Sequence, residues 1–318
     1  MRPKFNLEPI GLVGLGLMGA GIATCLLSRG FRVVAHDRSP KQARTAGVHI
    51  DESLRELAER GMLPKSRMRD WRRRFRLVGN PAELKACRVV VESIGENLED
   101  KLGLMRELES CLHRSAIVAS NTSSFPISLL QANARHPGRI VGMHWAEPAH
   151  IMRYMEITPG KKTSGLTLKK AMSMGVRCGK EPTLLREDVR GFLSNRMMYA
   201  MIREACHLVE SGIADIPTVD QSFRNDIGWW ALLAGPFRWM DLTGIPAYAA
   251  VMEGLLPQLC NDHEVPQLMR RMVASGAMGT STASGFYKYS KAGAKDWNRR
   301  WIDFTYEIRK LADKFAEV

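Results

Sequence analysis

The chain has 318 residues, room for one large domain or two ordinary ones, and its 45% apolar and 25% charged content excludes a disordered or low-complexity protein. A net charge of +13 raises nucleic acid, a membrane surface or an anionic ligand as partners. No apolar run approaches the ~20 residues of a membrane span, "MRPKFNLEPIGLVGLG" lacks a signal-peptide core and cleavage site, and the six scattered cysteines form no C-x-x-C pair and find no histidine at metal spacing, so the expectation is a cytoplasmic protein with reduced thiols, no membrane partner and no metal.

In chain order, Ile10 to Val13 reads as a strand, followed by a glycine-rich turn, a helix from about Met18 to Ser28, a stop at Gly30 and the strand "FRVVAHD": a βαβ unit. A helix is expected from about Pro40 to Arg60, then a break at "GMLP". Next comes "KSRMRDWRRRFR" (65–76), with seven basic residues and one acid. Met68, Trp71, Phe75 and Val78 recur there at helical spacing, which predicts an amphipathic helix with a basic outer face. That face is either solvated or a patch for an anionic substrate. Beyond it, "CRVVVESI", "SAIVASN", "RIVGMHW", "YMEIT" and "EPTLL" read as strands, separated by helices at "EDKLGLMRELESCL", "PISLLQAN" and about Thr167 to Cys178. Alternation of this kind predicts an α/β domain: a Rossmann-type doubly wound parallel sheet over residues 1–186, covered on both faces. From about Glu187 the strand signals stop, and residues 187–318 read as an all-α C-terminal domain for substrate and dimer contacts, ending in an amphipathic helix at "DWNRRWIDFTYEIRKLADKFAEV".

Gly14, Gly16 and Gly19 stand in G-x-G-x-x-G spacing between the first strand and the first helix. The first glycine suits the tight turn, the second lets backbone approach a pyrophosphate, and the third lets helix and strand pack closely. The helix N-terminus then offers unpaired N–H groups to phosphate. Asp37 ends the second strand, eighteen residues past Gly19, where an acid takes the ribose hydroxyls. The cofactor expected is NAD rather than NADP, although Arg38 next door could accommodate a 2′-phosphate.

His144 and Glu156 lie twelve residues apart on two strand-like segments joined by a Pro-containing loop. A carboxylate beside a histidine fixes its tautomer and raises its basicity, as a general base near neutral pH requires. A surface ion pair is the plainer reading.

"GLMGAGIA", "VVVESIGENLEDK", "ASNTSSFPIS", "GMHWAEP", "YMEI", "GFLSNR" and "AGPFRWMDLTG" occur in the order and at nearly the spacing of the L-3-hydroxyacyl-CoA dehydrogenase family, which the chain resembles from about residue 9 to residue 289. That family includes enzymes of small 3-hydroxy acids and relatives that act on pyridine-ring substrates. The resemblance implies that His144 is the general base and Glu156 its orienting acid. It implies that Ser123 and Asn195 hold the substrate oxygen, although Ser123 could be a helix cap and Asn195 an ordinary helix residue. Glu96 and Lys101 match positions lining the cofactor cleft. Ser53 and Arg60, both in "DESLRELAERG", fall where the family meets the CoA nucleotide. Where the family commonly has Asn (H-F-F-N-P), this chain has Glu147, which is expected to bear on the substrate, for instance by pairing with a cationic group.

The function expected is NAD-dependent oxidation of the 3-hydroxyl of a 3-hydroxyacyl-CoA or related 3-hydroxy acid, with a small non-CoA hydroxy acid or ring alcohol, or an idle NAD-binding protein, as alternatives. The partners expected are a small-molecule substrate, a CoA thioester among the candidates, and a second copy in a homodimer. Trp229, Trp230, Phe237 and Trp239 supply aromatic area for that interface, or else belong to the core. Nucleic-acid binding by residues 65–76 ranks last, since that helix has no base-reading partner.

Overall fold

The computed structural model describes residues 8–315, and they divide into two compact units, one running to Asn195 and one starting at Arg196. In the first unit, strands β1 (Ile10–Val13), β2 (Val33–His36), β3 (Phe75–Val78), β4 (Val89–Glu92), β5 (Ile117–Ser120), β6 (Ile140–Trp145), β7 (Tyr154–Pro159) and β8 (Glu181–Leu184) form one sheet. Their order is β3-β2-β1-β4-β5-β6-β7-β8. All neighbours are parallel except β6 and β7, which run antiparallel. A parallel crossover takes about a dozen residues or more, and the loop 146–153 is too short for one, so the expected all-parallel sheet reverses here. β1 and β5 are buried along their whole length, as strands covered on both faces must be.

Capping fixes where the helices begin. α1 (Leu17–Ser28) starts directly from the glycine turn. α2 (Pro40–Glu59) has Ser39 accepting from the Gln42 amide at 3.2 Å, with proline at its first position. The two short helices α3 (Lys65–Arg69) and α4 (Trp71–Arg74) come next. The continuous basic helix expected from the sequence is therefore corrected: helix ends at Arg74, and Phe75–Val78 pairs with β2 as the edge strand. Trp71 forces the break, since it is buried with Nε1 donating to Asp51 Oδ1 of α2 at 3.0 Å. α5 (Leu98–Cys111) is capped by Asn97, α6 (Ile127–Leu130) follows Pro126, and α7 (Gly165–Arg177) is capped by Ser164. The buried face of α5, Leu104, Met105 and Leu108, joins Val90, Val118, Ile127, Ile140 and Phe192 in one cluster against the sheet.

The division between units falls nine residues past the change of pattern expected at 186/187 (195 − 186 = 9). Residues 187–195 stay with the sheet because Asp188 accepts the Ile127 and Ser128 amides at 2.8 and 2.6 Å, and Glu156 accepts those of Leu193 and Ser194. The second unit is helical: α8 (Ser194–Glu210), which begins at the boundary, α9 (Ile216–Asn225), α10 (Ile227–Ala231), α11 (Pro236–Thr243), α12 (Ile245–Leu255), α13 (Gln267–Ala274) and α14 (Lys291–Lys314). Among the described residues, no helix is long and apolar enough to cross a membrane.

Leu108 is fully buried in the α5 cluster, so Leu108→Ala is expected to cost about 2–5 kcal/mol, read as a lower midpoint with an unchanged slope in urea unfolding.

Candidate active site

The carboxyl ends of β1 and β4 flank the point where the strand order reverses, which is where open α/β sheets hold ligands. The glycine turn sits there, and each glycine has a distinct geometric role. Gly14 has φ +92°, and a Cβ on it would overlap the Ser93 carbonyl. A Cβ on Gly19 would overlap the Gly14 carbonyl, so α1 could not pack so closely on the turn. Gly16 faces open space, with nothing within 4 Å of where its Cβ would lie. Asp37 Oδ2 accepts the Leu15 amide at 2.7 Å and Oδ1 accepts that of Ser39 at 2.7 Å, which fixes the acid against the turn. Each oxygen keeps lone pairs for a ribose hydroxyl. Arg38 instead reaches Asp100 at 3.7 Å. An open backbone N-terminus, a fixed acid and a glycine pair that excludes side chains fit a dinucleotide.

Antiparallel register sets His144 directly opposite Glu156, and Nδ1 lies 2.6 Å from Glu156 Oε2. Glu156 is wholly buried. Burial alone raises its carboxyl, but hydrogen bonds from His144, Tyr154 and the Ser194 and Leu193 amides outweigh that and bring it down to about 2. The two amides, at 3.0 and 2.8 Å from Oε1, come from a turn in which Gly191 and Phe192 both have positive φ, 79° and 52°. A phenylalanine in that region is strained. Its buried ring is held in the α5 cluster, with its centroid 5.7 Å from that of His144. Tyr154 shares the face of Glu156, two residues along β7, and burial together with that carboxylate pushes its hydroxyl well above the usual range.

A second carboxylate organises the Ser123 loop. Glu96 Oε1 accepts from Thr122 Oγ1 at 2.6 Å, from the Ser123 and Ser124 amides at 3.0 Å each, and from Ser124 Oγ at 2.8 Å. These bonds outweigh partial burial and hold its carboxyl below the usual value, with Lys101 assisting. Lys101 is 1% exposed; its ammonium lies 2.7 Å from Glu92 Oε1 and 3.2 Å from Glu96 Oε2. Lys101, at a position expected to line the cofactor cleft, has its charge held between these two carboxylates. Asn195 Nδ2 donates to the Ser123 carbonyl at 3.0 Å. Asn121 bridges the ends of β4 and β6, donating to Ser93 Oγ at 3.2 Å and accepting the Trp145 amide at 2.9 Å. Glu92, Asn121, Thr122 and Tyr154 escaped the sequence reading. All four sit inside quoted motifs, and the i, i+2 spacing of Tyr154 from Glu156 is a further signal for the fourth.

Residues 9–189 match the NAD-binding domain of 3-hydroxyacyl-CoA dehydrogenase and residues 191–289 its C-terminal domain. The chain belongs to the 3-hydroxyacyl-CoA dehydrogenase family. It is an NAD-dependent oxidoreductase acting on CH–OH groups. The chain is 33% identical over 283 residues to a probable 3-hydroxybutyryl-CoA dehydrogenase of Deinococcus radiodurans, covering 88% of this chain and 99% of that one. It is 31% identical over 286 residues to the 5-formyl-3-hydroxy-2-methylpyridine 4-carboxylate 5-dehydrogenase of Mesorhizobium japonicum, covering 90% and 92%. The crystal structure of an enzyme of the latter name, described as an NAD+-dependent dismutase, superposes with a TM-score of 0.90 at 28% identity, over 96% of this chain and 99% of that one.

Against the family's CoA positions, Ser53 lies half-buried on α2, and Arg60, at its end, is paired with Glu56 at 2.9 Å. Glu147 lies two residues past the end of β6. It is open to solvent in part, yet the surrounding protein raises its carboxyl, with the Ala149 amide opposing. The structure thus brings His144, Glu156, Ser123, Asn195 and Glu96 into one connected set with Asn121. Ser53 and Arg60 join the helix after β2.

Gly19→Ala is expected to weaken NADH binding at least tenfold, read by fluorescence titration, because the methyl group collides with backbone. Acid unfolding tests the Glu156 environment. A carboxyl lowered from 4.5 to about 2 contributes stability above pH 4.5 that is lost as pH falls toward 2. The wild type should therefore lose on the order of 2–3 kcal/mol more than Glu156→Gln across that window, measured by urea unfolding at successive pH values.

Proposed function

We propose that this protein oxidises a secondary alcohol with NAD through a His144–Glu156 dyad, and that its substrate is a small hydroxy acid or ring alcohol rather than a CoA thioester. The observation that carries the first part is the 2.6 Å His144–Glu156 pair, toward the same carboxyl ends of the parallel strands β1, β4, β5 and β6 as the glycine turn. Gly14, Gly16 and Gly19 would receive the pyrophosphate and Asp37 the ribose. The bound nicotinamide supplies the hydride acceptor. His144 takes the hydroxyl proton at Nε2, since Nδ1–H is committed to Glu156, and Glu156 stabilises the imidazolium formed. The Ser123 hydroxyl and the second amide hydrogen of Asn195 donate to the oxygen as alkoxide charge develops. Glu96 holds the Ser123 loop in position for this, and Lys101 holds Glu96.

The substrate class rests on what the cations near the CoA positions already bind. Arg60 pairs with Glu56, Arg72 with Asp51 at 2.9 Å, and Arg74 donates to the carbonyls of Leu27 and Arg67. Glu147, where the family commonly has Asn, suits a substrate with a cationic or hydrogen-bond-donating group. The 33% identical Deinococcus relative favours the second reading, a 3-hydroxyacyl-CoA substrate.

We also propose a homodimer. Trp230 and Trp239 stack at 5.5 Å, but Trp229 and Phe237 are each 78% exposed, as interface aromatics would be in a single copy.

Rates of NADH formation across a panel that pairs each free acid or ring alcohol with a CoA thioester test this reading. Turnover is expected with the small compounds, falling by about 10²–10⁴ in His144→Ala while NADH binding is kept. Turnover with thioesters alone would replace the substrate assignment, and no turnover with any compound would leave an idle NAD-binding protein.

A further inference from the structure

The glycine turn follows the carboxyl end of β1, and β5 and β6 run in the same direction, so their first residues, Ile117 and Ile140, lie at the opposite edge of the sheet. A cavity of about 450 Å³ opens beside those amino ends. Arg114, Arg135, Arg139 and Lys170 line it, and no aspartate or glutamate does. Glu109 pairs with Arg139 at 3.8 Å and is otherwise taken by the Arg135 and His136 amides, at 2.9 and 2.8 Å. Arg114 and Arg135 are exposed and have no acidic partner among the described residues. Lys170 donates to the Ser115 carbonyl at 3.0 Å, which leaves its charge unmatched. Arg139 is 6% exposed; its terminal nitrogens donate to the His113 and Glu109 carbonyls at 3.2 and 3.3 Å, but its Nε is buried without an acceptor. α7, thirteen residues long, starts at the cavity wall with Ser164 and Leu166. Ser164 Oγ accepts the Thr167 amide at 3.2 Å, and the earlier amides of that turn, with the positive end of the helix dipole, remain for an anion.

We propose that this cavity is a second ligand site, separate from the NAD and substrate positions, and that it takes a small organic phosphate of the nucleoside diphosphate class. Arg114, Arg135 and Lys170, cations without carboxylate partners, call for a ligand with more than one negative charge. The planar forks of Arg114 and Arg135 match phosphate oxygens two at a time. A phosphate oxygen reaching Arg139 gives Nε the acceptor it lacks, and a second phosphate suits the amino end of α7. Ile117 and Leu166 offer apolar wall to the organic part of the ligand. The cavity has the size of a small-molecule pocket. Its cations converge on one recess instead of forming the stripe that a nucleic-acid backbone follows. Cofactors of open α/β sheets bind at the carboxyl ends of the strands, so a ligand at the amino ends occupies a site of its own.

Equilibrium dialysis of radiolabelled ADP against the full chain tests the site, with NADH saturating so that the dinucleotide position is already filled. ADP is expected to bind, to be displaced by pyrophosphate and not by adenosine, and to lose at least tenfold in affinity in Arg114→Glu and in Arg135→Glu. Both side chains are exposed, so each variant is expected to keep the wild-type far-UV circular dichroism spectrum and NADH affinity. Lys295→Glu, an exposed charge reversal in the second unit, is expected to leave ADP affinity unchanged. No binding of ADP up to millimolar concentration overturns the site. Binding that survives in both variants puts the nucleotide elsewhere and overturns it too, and displacement by adenosine as readily as by pyrophosphate overturns the phosphate assignment. A single-stranded oligonucleotide that binds more tightly than ADP and is lost in the same variants would assign the arginines to nucleic acid and overturn the small-molecule reading.

Discussion

The one antiparallel pairing in the sheet, β6 against β7, is the constraint on which the site depends. A parallel crossover would send the chain over a sheet face and return it at some other register, with Glu156 far from His144. The short loop 146–153 instead folds the strand straight back, and the register sets the two residues opposite each other. Their 2.6 Å contact is therefore a property of backbone pairing before it is one of side-chain choice. A fully buried carboxylate carries a desolvation cost of several kcal/mol, and Glu156 offsets it with His144, Tyr154 and two backbone amides. Those amides face it because the 191–192 turn adopts left-handed backbone, in Phe192 as well as Gly191. Packing of the Phe192 ring supports that strain, so the hydrophobic cluster under α5 and the orientation of the histidine are linked through one residue.

Glu96 repeats the same device on the next loop. Like Glu156, it gathers two successive amides, here those of Ser123 and Ser124, and its own position is set by a buried lysine. Glu92 and Lys101 are both buried, and removing either partner of such a pair costs about 3–5 kcal/mol. The consequence is geometric. The Ser123 loop is held from below by Glu96 and from the side by Asn195, while Asn121 ties its start to the end of β6. A reaction that needs donors set where alkoxide charge develops benefits from such fixed loops, because no reorganisation is then required during the step.

Much of this arrangement could be read from the residues. Buried strands, capping residues and the three glycines each leave a local signature: Gly14 has the turn conformation and Gly19 the close packing their spacing implied, and Gly16 stands open. The His144–Glu156 pair could be named from motif order, but its geometry follows from a strand direction that sequence periodicity does not encode. β3 was missed because Met68, Trp71, Phe75 and Val78 fit a helical stripe as well as they fit a helix followed by a strand. What decides between them is Asp51, twenty residues before Trp71, which accepts its indole hydrogen. The burial of Lys101 leaves no local signature, because it depends on Glu92 at the end of another strand. In each case the missing information was a contact between segments distant in the chain.

The basic stretch 65–76 carries this reasoning furthest. By composition it was the strongest electrostatic signal in the chain and invited a partner bearing phosphate. Arg67, Arg72 and Arg74 instead complete the fold around them. α1 ends at Ser28; the amides of Arg29, Phe31 and Gly30 take the carbonyls of Cys25, Leu26 and Leu27, and the Ser28 carbonyl is left for a side chain. Arg67 donates to the Ser28 carbonyl at 2.9 Å, and Arg74 to that of Leu27 at 2.6 Å and of Phe31 at 3.3 Å. Cations at a helix C-terminus also match its dipole. Arg72 pairs with the buried Asp51, which Trp71 also holds. Arg67 and Arg74 therefore close the C-terminal end of the helix whose N-terminal end forms the glycine turn.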